Sequence, residues 1–266
     1  ALSSDQIAAI ETTDIQVLTT GQLAGLATST VAALTTDQVV ALTTYQIGNL
    51  STATLKALSS DQLVAIETTD IQALKTSQLA TLATSTVAAL STDQIQALLT
   101  SQLGALSTSG VRALSTDQVV ALSTDQVTGL NTRTVQALST DAIAALTTGQ
   151  IEVINTAGLA ALTTSQVKAL STDAVIALST YQVANLTTGT MAALSTAQVA
   201  AIETTDIQAL STKQLAGLAT GTVSALTTDQ VIALTTYQVG NLSTATLKAL
   251  SSDQIAAIET TDIQVL

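Results

Sequence analysis

Ser115-Thr116-Asp117-Gln118-Val119-Val120-Ala121-Leu122 is the stretch on which the fold turns. From Ser3 to Leu266 the 266-residue chain is this octad written 33 times, with no insertion or deletion. A fixed internal period outranks every other signal when a fold is inferred. Position two is Thr or Ser throughout (Ser4, Ser60 and Ser252 are the serines), and position five is Ile, Val or Leu except at Met191. Position eight is Leu or Ile, position seven is mostly Ala, and position four is Gln in 18 copies. Positions three and six vary freely.

Positions five and eight are three residues apart. They share one face of a helix but fall on opposite faces of a strand. The residues before them form a helix start. In Ser115-Thr116-Asp117-Gln118 a hydroxyl precedes a Gln by three positions, the spacing of a capping box, and Leu114 and Val119 stand where a hydrophobic staple would close over it. Asp117 falls in the first turn, where the helix dipole favours negative charge. Position one lacks a hydroxyl in some copies (Glu11, Ala27, Lys75, Leu99), so position two is an alternative site for the cap. In either register an octad makes about one and a half turns of helix, then bends. The competing reading is a β-solenoid with three octads per coil, because Thr, Val and Ile favour strands. Against it, no Gly, Asn or Asp recurs at a fixed corner, and Ala, Leu and Gln are abundant. The fold class expected is therefore all-α: a solenoid of very short helices, one per octad.

A second rhythm bears on the coil. Gln at position four gives way to Thr or Gly at Thr30, Thr54, Thr86, Gly110, Thr134, Gly158, Thr190, Thr222 and Thr246. These sites recur every three or four octads, which predicts about 3.4 octads per superhelical turn with the nine sites along one side. One octad is too small to fold by itself, so neighbouring coils must supply the rest of its core. Small residues at position seven would let those coils approach closely.

The array reads as one uninterrupted unit over residues 1–266, with the repeats proper at 3–266. Ala1–Leu18 is identical to Ala249–Leu266, as expected of an excerpt from a longer tandem duplication; a start on Ala1 instead of Met fits the same expectation. Pro is absent and the 12 Gly are scattered, so nothing marks a linker.

Composition excludes several functions. His and Cys are absent, which removes the commonest general base, the usual nucleophilic triads and most transition-metal sites. Seven basic residues against 19 acidic give a net charge of −12, the wrong sign for a nucleic-acid interface. Polar positions return in every octad, so no apolar run reaches membrane-spanning length. Aromatic residues make up 1% of the chain; identical stacked layers leave few irregular gaps for large rings to fill. No catalytic, cofactor-binding or metal-ligating residue is assigned. The paired acids Glu11/Asp14, Glu67/Asp70, Glu203/Asp206 and Glu259/Asp262 allow weak calcium binding in principle, although Asp in place of Gln as a cap accounts for them as well. Tyr45, Tyr181 and Tyr237, each followed four residues on by Asn49, Asn185 or Asn241, are candidates for a lateral contact with another chain. The column of position-two hydroxyls resembles an ice-binding ladder in composition, but on a spiral it would not lie flat.

The pattern Leu-[Ser/Thr]-Thr-x-Gln-[Ile/Val]-x-Ala-Leu resembles the octapeptide arrays of very large bacterial secreted and surface proteins of adhesin-like type. That resemblance covers the whole chain. It implies an extracellular, extended, non-enzymatic repeat region and carries over no binding residues. Tandem duplication suits a part whose function is length, so the expected role is a structural one, a stalk, spacer or filament on a bacterial surface, with self-association into fibres or lateral contacts as its expected partnership and no nucleic acid. A surface module contacting polysaccharide, ice or calcium is the alternative.

Overall fold

A computed structural model describes residues 3–265, so Leu266, the last residue of the final octad, lies outside the described residues. Among the described residues there is one short helix per octad and no strand, from Ser4–Ala8 to Thr260–Ile263. The all-α solenoid is the observed architecture and the β-solenoid is not.

The local structure follows from the octad. In Ser115–Leu122 the helix is Thr116–Val120. Ser115 precedes it in extended conformation, with φ −71° and ψ 163°. Its side chain accepts a hydrogen bond from the Gln118 N–H, and the Gln118 side chain accepts from the Ser115 N–H. This is the capping box, and it fixes the cap at position one. The alternative, a cap at position two, is corrected: Thr116 is the first helical residue. The chain bends through positions eight and one, which are extended at Leu98 (ψ 138°) and Ser123 (ψ 159°). No described residue has a positive φ. The corner therefore needs no left-handed residue, which is why no Gly is fixed there.

Positions five and eight build the interior. Val119 and Leu122 are both buried, and the same pair is buried in most octads. Within each unit the solenoid winds so that helices pack on the helix three octads later: Thr36–Val40 on Ser60–Val64, Thr92–Ala97 on Thr116–Val120, and Thr188–Ala193 on Thr212–Gly217. Side chains at position four reach carbonyls four octads back, as Gln94 does to Leu63 and Ile66. A turn thus lies between three and four octads, as the sequence rhythm predicts. The helix holding Thr30 packs on that of Thr54, Gly110 lies between Thr86 and Thr134, and Thr222 pairs with Thr246.

By packing, the chain divides into two units, Ala1–Ala142 and Ile143–Leu266. The octad register runs through the division unchanged. Small residues at the coil surface do permit close approach. A Cβ on Gly129 would overlap Thr100 Cγ2, and one on Gly217 would lie 3.2 Å from Thr188 Cβ.

Candidate functional site

The side chain that most often bonds from coil to coil is the position-four Gln, and it serves two ends. Gln94 Oε1 accepts from the Ser91 N–H at 3.0 Å, completing the cap of its own helix. Its Nε2 then donates to the carbonyls of Leu63, Val64 and Ile66 at 3.1, 3.0 and 2.8 Å. Those carbonyls belong to the octad four back. A helix end leaves its last carbonyls without intrahelical donors; the amide supplies an N–H to those of Val64 and Ile66 and a second one to Leu63, which also accepts from the Ile66 N–H. In the second unit Gln230 Nε2 donates likewise to Val199 and Ile202, at 2.9 and 2.6 Å. These amides are buried. Each joins the start of one helix to the end of another on the adjacent coil.

The capping spacing in the sequence accounts for the bond within the helix but not for the second bond, to the adjacent coil. A signal for it was present. A capping box accepts Glu as readily as Gln, yet position four is Gln 18 times and Glu never. Only the amide brings a donor.

Copies without Gln show substitutes. At Thr54 the cap survives, with Ser51 Oγ accepting from the Thr54 N–H at 3.0 Å. At Thr134 the neighbouring Arg133 takes over the reach between coils. Its guanidinium donates to the Gly104 and Leu106 carbonyls, at 2.7 and 3.3 Å, on the octad four back. At Asp70 the carboxylate accepts from Thr44 Oγ1 on the coil beside it.

The paired acids do not assemble into a common surface site. Glu67 and Glu203 are exposed at position one, whereas Asp70 and Asp206 are buried at position four; Asp262 is buried as well, and Asp14 is exposed. Among the described residues no group of three or more acids is placed to hold a metal ion. Tyr45, Tyr181 and Tyr237 project outward, 73%, 71% and 72% exposed. Their Asn partners bond within the octad, and Asn49 Oδ1 also accepts from Lys75 Nζ at 3.0 Å on the next coil. Asn49, Asn185 and Asn241 each donate from Nδ2 to the Tyr carbonyl at 2.8–2.9 Å, closing the helix end. An open groove of about 500 Å³ is lined by Thr84, Thr108, Ser109, Arg112 and Ala113. It has one charged group and no acid or base opposite it. No helix among the described residues is long and apolar enough to cross a membrane.

This geometry describes a tandem-repeat protein whose most regular polar chemistry is internal. No curated protein matches the chain. The family model of the ALTTAQ repeat matches residues 7–44, 63–100, 95–132, 151–188, 199–236 and 237–266. Those segments cover most of the sequence, and the chain belongs to the ALTTAQ repeat family.

Proposed function

We propose that the array is a structural element, an extended stalk, spacer or filament segment exposed outside a bacterial cell, with neither enzymatic activity nor cofactor. One observation carries this reading: within each unit the best-ordered side-chain chemistry, the Gln bond from coil to coil, is spent on continuing the solenoid. An octad whose polar groups serve only its neighbours can be added without altering what is already built. Such a part serves by its length, and tandem duplication changes length alone. Negative-stain microscopy of the native protein, with antibody labelling of intact cells, tests both halves. Uniform fibres reached by antibody on unbroken cells are expected; short particles, or label only after lysis, overturn it.

A second reading rests on the exposed Tyr45, Tyr181 and Tyr237, flat rings of the sort that stack on sugars. In it the array is a surface module contacting polysaccharide. Quenching of Tyr fluorescence by a neutral glycan would support it.

A further inference from the structure

The charges of this chain are sorted by octad. The 19 acidic residues occupy 15 octads and the seven basic residues occupy seven others; none holds both signs. The winding turns this into sidedness within each unit. In the first, the helix of Asp37 packs on that of Asp61, Gln94 beside Asp93 bonds back into the Asp61 octad, and the helix of Asp93 packs on that of Asp117. These four acids are exposed and stacked on successive coils. The basic octads stack elsewhere. The helix of Lys56 packs on the helix that Lys75 precedes, and that of Arg112 on that of Arg133. With three to four octads per turn, neighbouring octads are roughly 100° apart around the axis, so the acidic and basic stacks face different ways. The second unit repeats the pattern: the octads of Asp206, Asp229 and Asp253 stack in sequence, and that of Lys168 stacks through Met191's on that of Lys213.

The acidic side is also the aliphatic side. Val40, Val64 and Val120 are exposed at position six, each three residues after Asp37, Asp61 or Asp117 and therefore beside it on the helix. In the second unit Ile176 and Ile232 follow Asp173 and Asp229 in the same way. Val120 is 45% exposed. Lys and Arg are suited to such a surface, since their stems cover aliphatic groups while the heads reach carboxylates. The spacing fits too. Lys56 and Arg112 are 56 residues apart, and so are Asp61 and Asp117, and Val64 and Val120. Fifty-six residues are seven octads, a step of three octads and one of four, or two coils. Coils packed as helices lie about 8–10 Å apart, so both pairs repeat at roughly 20 Å.

We propose that the acid-aliphatic side is a docking surface for the basic side of a second copy of this chain, set parallel and side by side. Lys56 and Arg112 of one copy then meet Asp61/Val64 and Asp117/Val120 of the next. The contact joins unlike faces, so it leaves a free face on each partner and propagates into bundles. The net charge of −12 opposes association only where it is felt across the molecule. The Debye length is about 8 Å at 0.15 M salt, about 30 Å at 0.01 M and about 3 Å at 1 M. Net repulsion wins at the lowest, local pairing at the middle value, and screening removes the pairing at the highest.

Sedimentation velocity of the full chain at those three salt concentrations tests the proposal wherever the protein resides. The expected result is association strongest at the middle concentration. Lys56→Glu with Arg112→Glu weakens it at least about tenfold, and so does Asp61→Lys with Asp117→Lys. An equimolar mixture of the two variants restores it, each confirmed helical by circular dichroism. A monomer at every salt concentration overturns the proposal. So does association that rises steadily with salt, that ignores both charge reversals, or that the mixture fails to restore.

Discussion

Gln126 Nε2 lies 2.6 Å from the carbonyl oxygen of Leu98, 28 residues earlier in the chain. The same nitrogen donates to Ile95 and Gln96 at 3.0 and 3.1 Å, while Gln126 Oε1 accepts from the Ser123 N–H. One amide therefore caps a helix start and closes a helix end on the coil beneath.

Replacing this amide by a carboxylate separates the two roles. Gln126→Glu keeps the acceptor for Ser123 but turns an oxygen toward three carbonyls; that of Ile95 keeps the Leu98 N–H, while those of Gln96 and Leu98 lose the donor that Gln126 supplies and a charge is left without a partner. The expected loss at neutral pH is about 3 kcal/mol. Burial and the facing carbonyls raise the introduced carboxyl's folded pKa above its unfolded value. A raised folded pKa means that the variant recovers stability as pH falls through that value and loses it as pH rises. Hydrogen exchange of peptides spanning 95–98 and 123–126 should show faster opening at pH 7 than at pH 4.

The caps offer a gain and a loss on one scaffold. Ser115→Ala removes the acceptor of the Gln118 N–H and should cost about 1 kcal/mol. Ala83 precedes a helix whose start has no side-chain cap. Ala83→Ser places a hydroxyl before the Thr86 N–H, as Ser51 stands before Thr54, and should stabilise by up to about 1 kcal/mol. Thermal melting of the two variants should move in opposite directions. A shift of the same sign in both would mean that the cap at position one is not what holds these helix starts.

Much of this fold is legible in Ser115–Leu122 because the information is local. Val119 and Leu122 must share a face, and Ser115 and Gln118 have the spacing of a cap. The cap site was ambiguous for a chemical reason: positions one and two both carry hydroxyls, and only the extended backbone of Ser115 separates them. The target of Gln94 is 28–31 residues away, beyond any local pattern, and becomes visible only once the coil length is known. The same holds for the sides: Lys56 and Asp61 are close in sequence, and nothing local tells that they look in different directions. Asp70 and Asp206 show a further limit, because the pattern that makes position four a cap does not reveal that it is buried.

Close approach between coils makes two glycines respond differently to the same substitution. A Cβ on Gly129 would overlap Thr100 Cγ2. Thr is stiff at χ1, so Gly129→Ala must move the side chain or the coil, at a cost of about 1–3 kcal/mol. Thr100→Ser removes the offending methyl and should rescue much of it. Gly149 has nothing within 4 Å of the added atom and lies in the helix Thr148–Val153. Gly149→Ala should be neutral or stabilise by roughly 0.5 kcal/mol. Chemical denaturation of the three variants checks the order.

Arg133 and Thr134 offer a test of whether the reach between coils is a transferable device. Arg133 donates to the Gly104 and Leu106 carbonyls, the octad that a Gln at 134 would address from its own position. Arg133→Ala should leave those carbonyls to water and cost about 1–2 kcal/mol, since the donor is charged but exposed. Thr134→Gln in that background rebuilds the usual arrangement, with Nε2 directed to Leu103 and Leu106 as Gln126 is to Ile95 and Leu98. The double variant should regain the parent's melting temperature, and hydrogen exchange over 103–106 should return with it. Should the double variant melt no higher than Arg133→Ala alone, the guanidinium acts through its charge or its stem, and the exchange of one donor for another fails as an account of this octad.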